Sequence, residues 1–402
     1  MEFILYFVLR RLFLRTELTA DKIVVSRGLL LRRRYEIPLS AVTKIELRRT
    51  VVLRLLHGKR VEVSTLSGGV AFYMRAWEHL PFLPDYDGAF ISASPLQAVA
   101  GAFIDTRALR GVVTFWLFLN RIGNVFGDDS FERIMSALSG AADEVRRILA
   151  ALHIGVPRVT AMTAVFVVAA WLFVFLRKAL GMLRFRLSCE SGYITVQRGV
   201  FTLYECRFVR NNLTGVTRCD TLTTLLMRSA PLYAHDVMLF PPVTRRCADR
   251  ILEKMCRLPP PESPGVKPPA SALFGHCAAP LGWLAAFAGG LVLTFIAEPI
   301  AADLVQSILW TGAAVSLWFA GTYAVYMRLS RVSRGRGVTN IAYRKGARLY
   351  TSLLPDRKLA CTITGRNPFQ KLSGMCDITL VIAGRKRLKL RNVPYSGIKG
   401  LF

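Results

Sequence analysis

The sequence predicts an α+β membrane protein in which three small antiparallel β domains alternate with transmembrane helical hairpins. Three observations lead there. The 402-residue chain is 52% apolar, with a mean hydropathy of +0.37, yet it carries a net charge of +28. Its charge-free stretches are long enough to cross a bilayer. The basic stretches between them resemble one another.

The apolar content excludes a disordered chain, and the charge excess is unlike that of a soluble enzyme. Both are accommodated if apolar segments lie in a bilayer and basic segments on its cytoplasmic side. The eight cysteines form no C-x-x-C pair and no zinc-like spacing with histidine, so they read as reduced thiols. No metal and no cofactor is implied.

The spans come first. Val159 to Leu176 carries no charge and is bounded by Arg158 and Arg177-Lys178. Leu304 to Met327 is equally uncharged, and so is the apolar run from Cys277 to Ala297. At about 1.5 Å per residue each reaches across roughly 30 Å of hydrocarbon. The short loop with Glu298 and Asp303 is then external, and the arginines flanking these two spans place 177–267 and 328–402 in the cytoplasm. Residues 1–62, with 14 basic and 6 acidic side chains, belong there too. An even number of crossings therefore requires one more span, and Arg110 to Phe126 is the candidate, although Arg121 interrupts it. Residues 127–157, with Phe131, Ile134, Leu138, Val145, Ile148, Leu149 and Leu152 apolar, are expected to form an amphipathic helical hairpin on the outer surface.

The β domains follow from the repeat. Aligning Gly28, Gly199 and Gly346 brings Thr50, Thr221 and Pro368 into register without a gap, and a basic residue precedes each glycine. Val42 matches Leu213, while Ile45 matches Val216 and Ile363. Ile23-Val24-Val25, the glycine and Leu29 to Leu31 read as a hairpin, and Val42 to Leu47 as the next strand. In the third copy Asp377 to Ala383 and Arg387 to Arg391 form a second hairpin around Gly384, with one apolar face. Each unit is thus expected to hold five to seven strands, with helices at Thr244 to Arg257 and Tyr395 to Phe402. The division is 1–90, first β domain; 91–183, membrane hairpin with spans near 108–126 and 159–178; 184–262, second β domain; 263–330, membrane hairpin with spans near 277–297 and 304–327; and 331–402, third β domain.

The glycine-anchored repeat, the paired membrane helices and the phrases SPLQAVAGAF and SGYITVQRGVFTLYE resemble the bacterial pleckstrin-homology-like (PH-like) membrane proteins of the YdbT-like branch. The resemblance runs over about residues 20–402 and is strongest in RNPFQKLSGMCDITLVIAGRKRLKLRNVP of the third copy. The chain differs from that pattern in starting with a β unit where a membrane pair usually leads. The resemblance implies PH-like sandwich or barrel domains, cytoplasmic placement, no enzymatic activity, and a partner that is a smaller membrane protein with one such domain.

No H-E-x-x-H, P-loop, G-x-G-x-x-G or G-x-S-x-G motif is present, so no catalytic residue is assigned. His276 reads as an interfacial polar group in preference to a proton relay. Arg32, Arg33 and Arg34, then Arg48 and Arg49, then Arg385, Lys386 and Arg387, are the candidates for anionic lipid headgroups. The bland alternative is that they only orient the chain. A nucleic-acid partner is set aside because the aromatics concentrate in the spans. Gly312, Ser316 and Ala320 form a small-residue stripe that packs on the neighbouring helix or makes an oligomer seam. The expected function is a non-enzymatic, multi-pass inner-membrane scaffold with both termini cytoplasmic, binding the anionic phospholipid surface, partner membrane proteins or further copies of itself. A transporter or channel is the competing class.

Overall fold

The structure is a computed structural model that describes residues 14–19, 21–27, 33–78, 90–105, 128–151, 158–190, 192–259, 265–297, 302–383 and 386–402. It is an α+β chain with several antiparallel sheets. Unit one consists of β1 (Leu14–Leu18), β2 (Lys22–Arg27), β3 (Arg33–Pro38), β4 (Val42–Arg49), a short helix α1 (Val51–Leu55), β5 (Gly58–Thr65) and β6 (Gly69–Arg75). A small strand β7 (Phe90–Ser92) and the helices α2 (Pro95–Asp105), α3 (Asp128–Ala151) and α4 (Arg158–Met182) lead to unit two.

Unit two repeats the order: β8 (Arg186–Glu190), β9 (Tyr193–Arg198), β10 (Leu203–Val209), β11 (Val216–Asp220), α5 (Leu222–Leu226), β12 (Ser229–Ala234), β13 (Val237–Thr244), then α6 (Arg245–Lys254). A helical pair, α7 (Leu273–Ala297) and α8 (Ala302–Leu329), precedes unit three. That unit has β14 (Arg331–Gly335), β15 (Val338–Lys345), β16 (Arg348–Pro355), β17 (Leu359–Gly365), α9 (Pro368–Leu372), β18 (Met375–Ile382), β19 (Lys386–Pro394) and α10 (Tyr395–Lys399). Both helices expected to close units two and three are present.

The sheets do not stop at unit boundaries. β4 of unit one pairs with β10 of unit two, and β11 of unit two pairs with β16 of unit three, all antiparallel. The two seams keep one register. Ile45 faces Arg207 in the first, and the equivalent Val216 faces Leu353 in the second. The cores interlock accordingly. Val209 packs on the core of unit one, built on Ile23, Ile45, Val61 and Phe72. Val338 and Leu353 of unit three join that of unit two, built on Phe208, Leu232 and Phe240. Each such side chain contributes about 1.5–3 kcal/mol on burial. Asn212 fastens the first seam by donating from Nδ2 to the carbonyls of Ser40 and Val42, both at 2.8 Å.

Several expectations change. The gap-free register holds from unit one to unit two, where Thr50 and Thr221 cap α1 and α5. In unit three the cap is Asn367, one residue earlier than the alignment requires. The shortening falls between Gly346 and the short helix, so Thr362, not Ile363, stands where Ile45 and Val216 do. A one-residue slip reverses every side chain on a strand, and Ile363 is 49% exposed. Among the described residues, 128–151 form one continuous helix, α3, where a hairpin was expected, and its Ile134 packs against Ala170 of α4. The strand expected at Leu29 to Leu31 and the span at 110–126 lie outside the described residues, while β3 begins at Arg33.

The aligned glycines have a backbone reason. Gly199 and Gly346 sit at φ +101° and +63°, in turns beside the ends of α4 and α8. Gly199 donates its N–H to Leu183 (2.8 Å), and the Tyr326 hydroxyl donates to the Ala347 carbonyl (3.2 Å). A Cβ on Gly199 would lie 2.1 Å from the Thr202 carbonyl oxygen, whereas nothing stands within 4 Å of one on Gly346. Gly346→Ala is therefore expected to cost about 1–2 kcal/mol from the left-handed backbone alone, and Gly199→Ala distinctly more. Thermal unfolding of the two variants compares them, and equal losses would refute this account of the turn.

In unit three Asp377 accepts from Gln370 Nε2 (2.7 Å) and the Asn392 N–H (3.1 Å), and pairs with Lys389 (2.9 Å). Burial alone would raise its pKa, but the Lys389 ammonium, the Asn392 amide and the Gln370 carboxamide outweigh that and hold the carboxyl below its usual range. Its stabilisation is whole above the unfolded value of about 3.9 and is lost as pH falls through the lower folded value. Asp377→Asn should remove part of the acid sensitivity of denaturant unfolding between about pH 5 and pH 2. An unchanged pH profile would show that the carboxylate carries none of it.

Candidate functional site: a rim of apolar tips and unpaired arginines

The seam register puts two equivalent features at one end of the units, and unit three repeats the same element order. β4 and β11 run antiparallel to β10 and β16, so each finishes beside the glycine turn and the preceding apolar helix. Thr50, Thr221 and Asn367 then start short helices by accepting the N–H three residues on, a capping arrangement that satisfies an orphan donor. The fifth residue of each helix is leucine: Leu55, Leu226 and Leu372, which are 76%, 83% and 89% exposed. Val52, Leu56, Met227 and Phe369 extend these tips and are also exposed. An apolar tip repeated three times at one position is not scatter.

α1 is tied to this end by Arg54, whose Nη1 donates to the Val200 carbonyl at 3.5 Å. In unit three Met375, just beyond α9, packs with Ala272 and Met327 at the ends of the helical pair.

Beside the first tip lies a cleft of about 310 Å³ where the seam meets the start of β8. Arg49, Arg184 and Arg186 line it with Leu47, Gln197, Leu203 and Glu205, and Arg198 borders it. Glu205 is already paired with Arg207 at 2.6 Å. None of the four arginines forms an ion pair among the described residues. Arg186 stacks on Phe90 (4.5 Å to the ring centroid) and Arg198 on Tyr204 (4.7 Å), contacts that orient a guanidinium without neutralising it. The Tyr204 ring lies on the other face of the sheet, with Arg48 and Arg198, and burial pushes its phenol up.

A second basic cleft, about 240 Å³, opens where unit three meets the helical pair, between His276, Tyr323, Arg344, Lys389 and Arg391. Arg344 stacks on Tyr323 at 3.5 Å. Its Nη1, and Nε2 of His276, are buried without a hydrogen-bond partner. Lys389 is spent on Asp377. The buried Arg344 N–H calls for an acceptor, and planar guanidinium groups match phosphate geometry.

The arginines singled out in the sequence divide. Arg49 lines the first cleft. Arg48, its neighbour on the strand, points to the opposite face, where it pairs with Glu46 (2.7 Å) and lies 5.4 Å from the Tyr204 ring. Arg34 pairs with Glu36 at 2.9 Å. Arg387 is exposed on β19. Arg33 and Lys386 fall on β3 and β19, and Arg32 and Arg385 lie outside the described residues. Gly312 is packed against Phe287 of α7, Ser316 is buried, and the Ala320 carbonyl accepts from the Cys277 thiol at 3.5 Å. The stripe therefore faces the other helix of its own pair. In the sequence Arg184, Arg186 and Arg344 stand only as charge flanking the spans and Arg198 as the basic residue before Gly199, and nothing marks the Leu tips, although Leu55 and Leu226 stand at equal distances from Gly28 and Gly199.

Ala164–Met182 and Ala270–Thr294 are long and apolar enough to cross a membrane. Residues 3–86 match the family model of the bacterial PH domain. Neither the curated proteins nor the solved structures give a match. The matched span holds β1 to β6, so residues 3–86 carry a bacterial PH-like domain, and the strand order of that domain recurs twice further along the chain.

Proposed function

We propose that this chain is a non-enzymatic, multi-pass membrane scaffold whose three PH-like units lie on the cytoplasmic face of the cell membrane and hold anionic phospholipid headgroups. The observation that carries this reading is the rim: leucine tips at one end of each unit, with unpaired arginines in a cleft beside them. Insertion of one leucine contributes about 1.5–3 kcal/mol, and each basic residue near an anionic surface about 1 kcal/mol. The tips thus anchor, and the arginines select for negative charge.

Membrane placement is supported by the outward surfaces of the helical pair, where Trp283, Leu293, Trp310, Leu317 and Trp318 are exposed. A buried core helix would cover such residues. The excess of Lys and Arg in 328–402 supports cytoplasmic orientation, and the resemblance to the YdbT-like branch agrees with both. Reporters fused near residue 15 and at the C-terminus should both read as cytoplasmic. A periplasmic result at either end defeats the topology.

The rim is tested on the full chain in bilayers. With Cys361→Ser removing an exposed thiol, a fluorophore on Leu226→Cys should be quenched by lipids labelled just below the headgroup, and one on Leu66→Cys should not. Arg49→Gln with Arg184→Gln should lower the anionic phospholipid retained in native mass spectrometry several-fold while zwitterionic lipid is unchanged. Equal quenching at both positions, or unchanged lipid retention, would remove the basis of the proposal.

A further inference from the structure

The two seams use one kind of edge. The third strand of a unit's first sheet meets the first strand of the preceding unit's second sheet: β10 on β4, and β16 on β11. Three units make two seams and leave one edge of each kind over. These are the outer edge of β3 and the outer edge of β17, and among the described residues no strand pairs with either. Other outer strands are outer in every unit: β6, β13 and β19 on one side, β1 and β14 on the other, with β8 carrying only the short β7. Only β3 and β17 are exposed at the ends while their counterparts are covered inside.

We propose that β17 of one copy pairs with β3 of a second copy, continuing the internal seam from chain to chain. Such a contact is heterologous, with different surfaces meeting head to tail, so it propagates or closes into a ring. β17 suits this. From Leu359 to Gly365 it has no charged residue, whereas β4 carries Lys44, Glu46, Arg48 and Arg49, and β11 carries Arg218 and Asp220. An uncharged, β-branched edge without guards is what an exposed surface avoids. Ile363, one of its exposed residues, is 49% accessible.

β3 suits the other side. β10 bears the ion pair Glu205–Arg207 (2.6 Å), and β3 bears Arg34–Glu36 (2.9 Å) at the same two places with the signs exchanged. In β10 the seam leaves those side chains 24% and 12% accessible; in β3 the pair is 62% and 46% accessible. Charges of this pattern therefore do not prevent pairing. The shared register fixes the partners. Cys206 faces Glu46, and Ser352 faces Thr217 with their hydroxyls 2.9 Å apart. The same step places Tyr35 opposite Ile363 and Ile37 opposite Cys361. An aromatic against a β-branched side chain is a favourable cross-strand pair.

The test is register-specific disulfide formation in membranes containing the full chain with Cys361→Ser. Co-expressed Tyr35→Cys and Ile363→Cys chains should cross-link on mild oxidation, since directly opposed side chains lie within reach of a disulfide. Tyr35→Cys with Thr362→Cys, whose side chain lies on the other face, should give at least several-fold less. Ile363→Lys, at an exposed position, should leave thermal unfolding unchanged and shift the mass distribution in detergent toward monomer. The proposal is overturned if Ile363→Cys links to itself, if the Thr362 pair links equally well, if only a different protein is captured, or if the unmodified chain is monomeric at micromolar concentration.

Discussion

The structure depends on one backbone constraint: a unit's second sheet is completed by the first sheet of the unit after it. Edge pairing satisfies a row of N–H and C=O groups that would otherwise be exposed or left buried without partners. It also fixes orientation, because antiparallel pairing in one register allows a single arrangement of neighbours. The Gly199 and Gly346 turns, the ends of α4 and α8, and the helices α1 and α5 come to the same end as a result. The seams are reinforced by side chains of several kinds. Thr217 and Ser352 share a hydroxyl contact, and Asn212 bridges two carbonyls.

The rim combines two interactions of different range. A leucine tip acts on contact and is indifferent to salt, whereas the arginines act over a Debye length of about 8 Å at physiological ionic strength. On the reading proposed above, the three tips dominate the energy, and the clefts decide which headgroups stay. Arg184 and Arg186 follow α4 by only a few residues, so on that reading their height relative to the bilayer is set by the helix.

Much of the unit was legible because its signals are local. The glycine repeat is visible since a left-handed turn excludes most side chains; Thr50 and Thr221 align with it, but the short helices they cap were not expected. Two kinds of information were hidden. Pairing between β4 and β10 is a property of the backbone, and no side-chain period announces which distant strand lies alongside. Adjacent basic residues on a strand also face opposite ways, so Arg48 and Arg49 read as one cluster but serve an ion pair and a cleft. The shortened turn after Gly346 moved the third copy by one residue, enough to exchange Ile363 for Thr362 on the inner face.

The order in which the chain is made gives the charges of β4 another meaning. About 150 residues separate β4 from the strand that covers it, which at roughly 5–20 residues per second is on the order of ten to thirty seconds of synthesis. During that interval the finished edge stands open to neighbouring nascent chains. Lys44, Glu46, Arg48 and Arg49 guard it until β10 emerges. β11 waits for a comparable time behind Arg218 and Asp220. β17, whose neighbour β18 follows it after only a short helix, carries no guard at all.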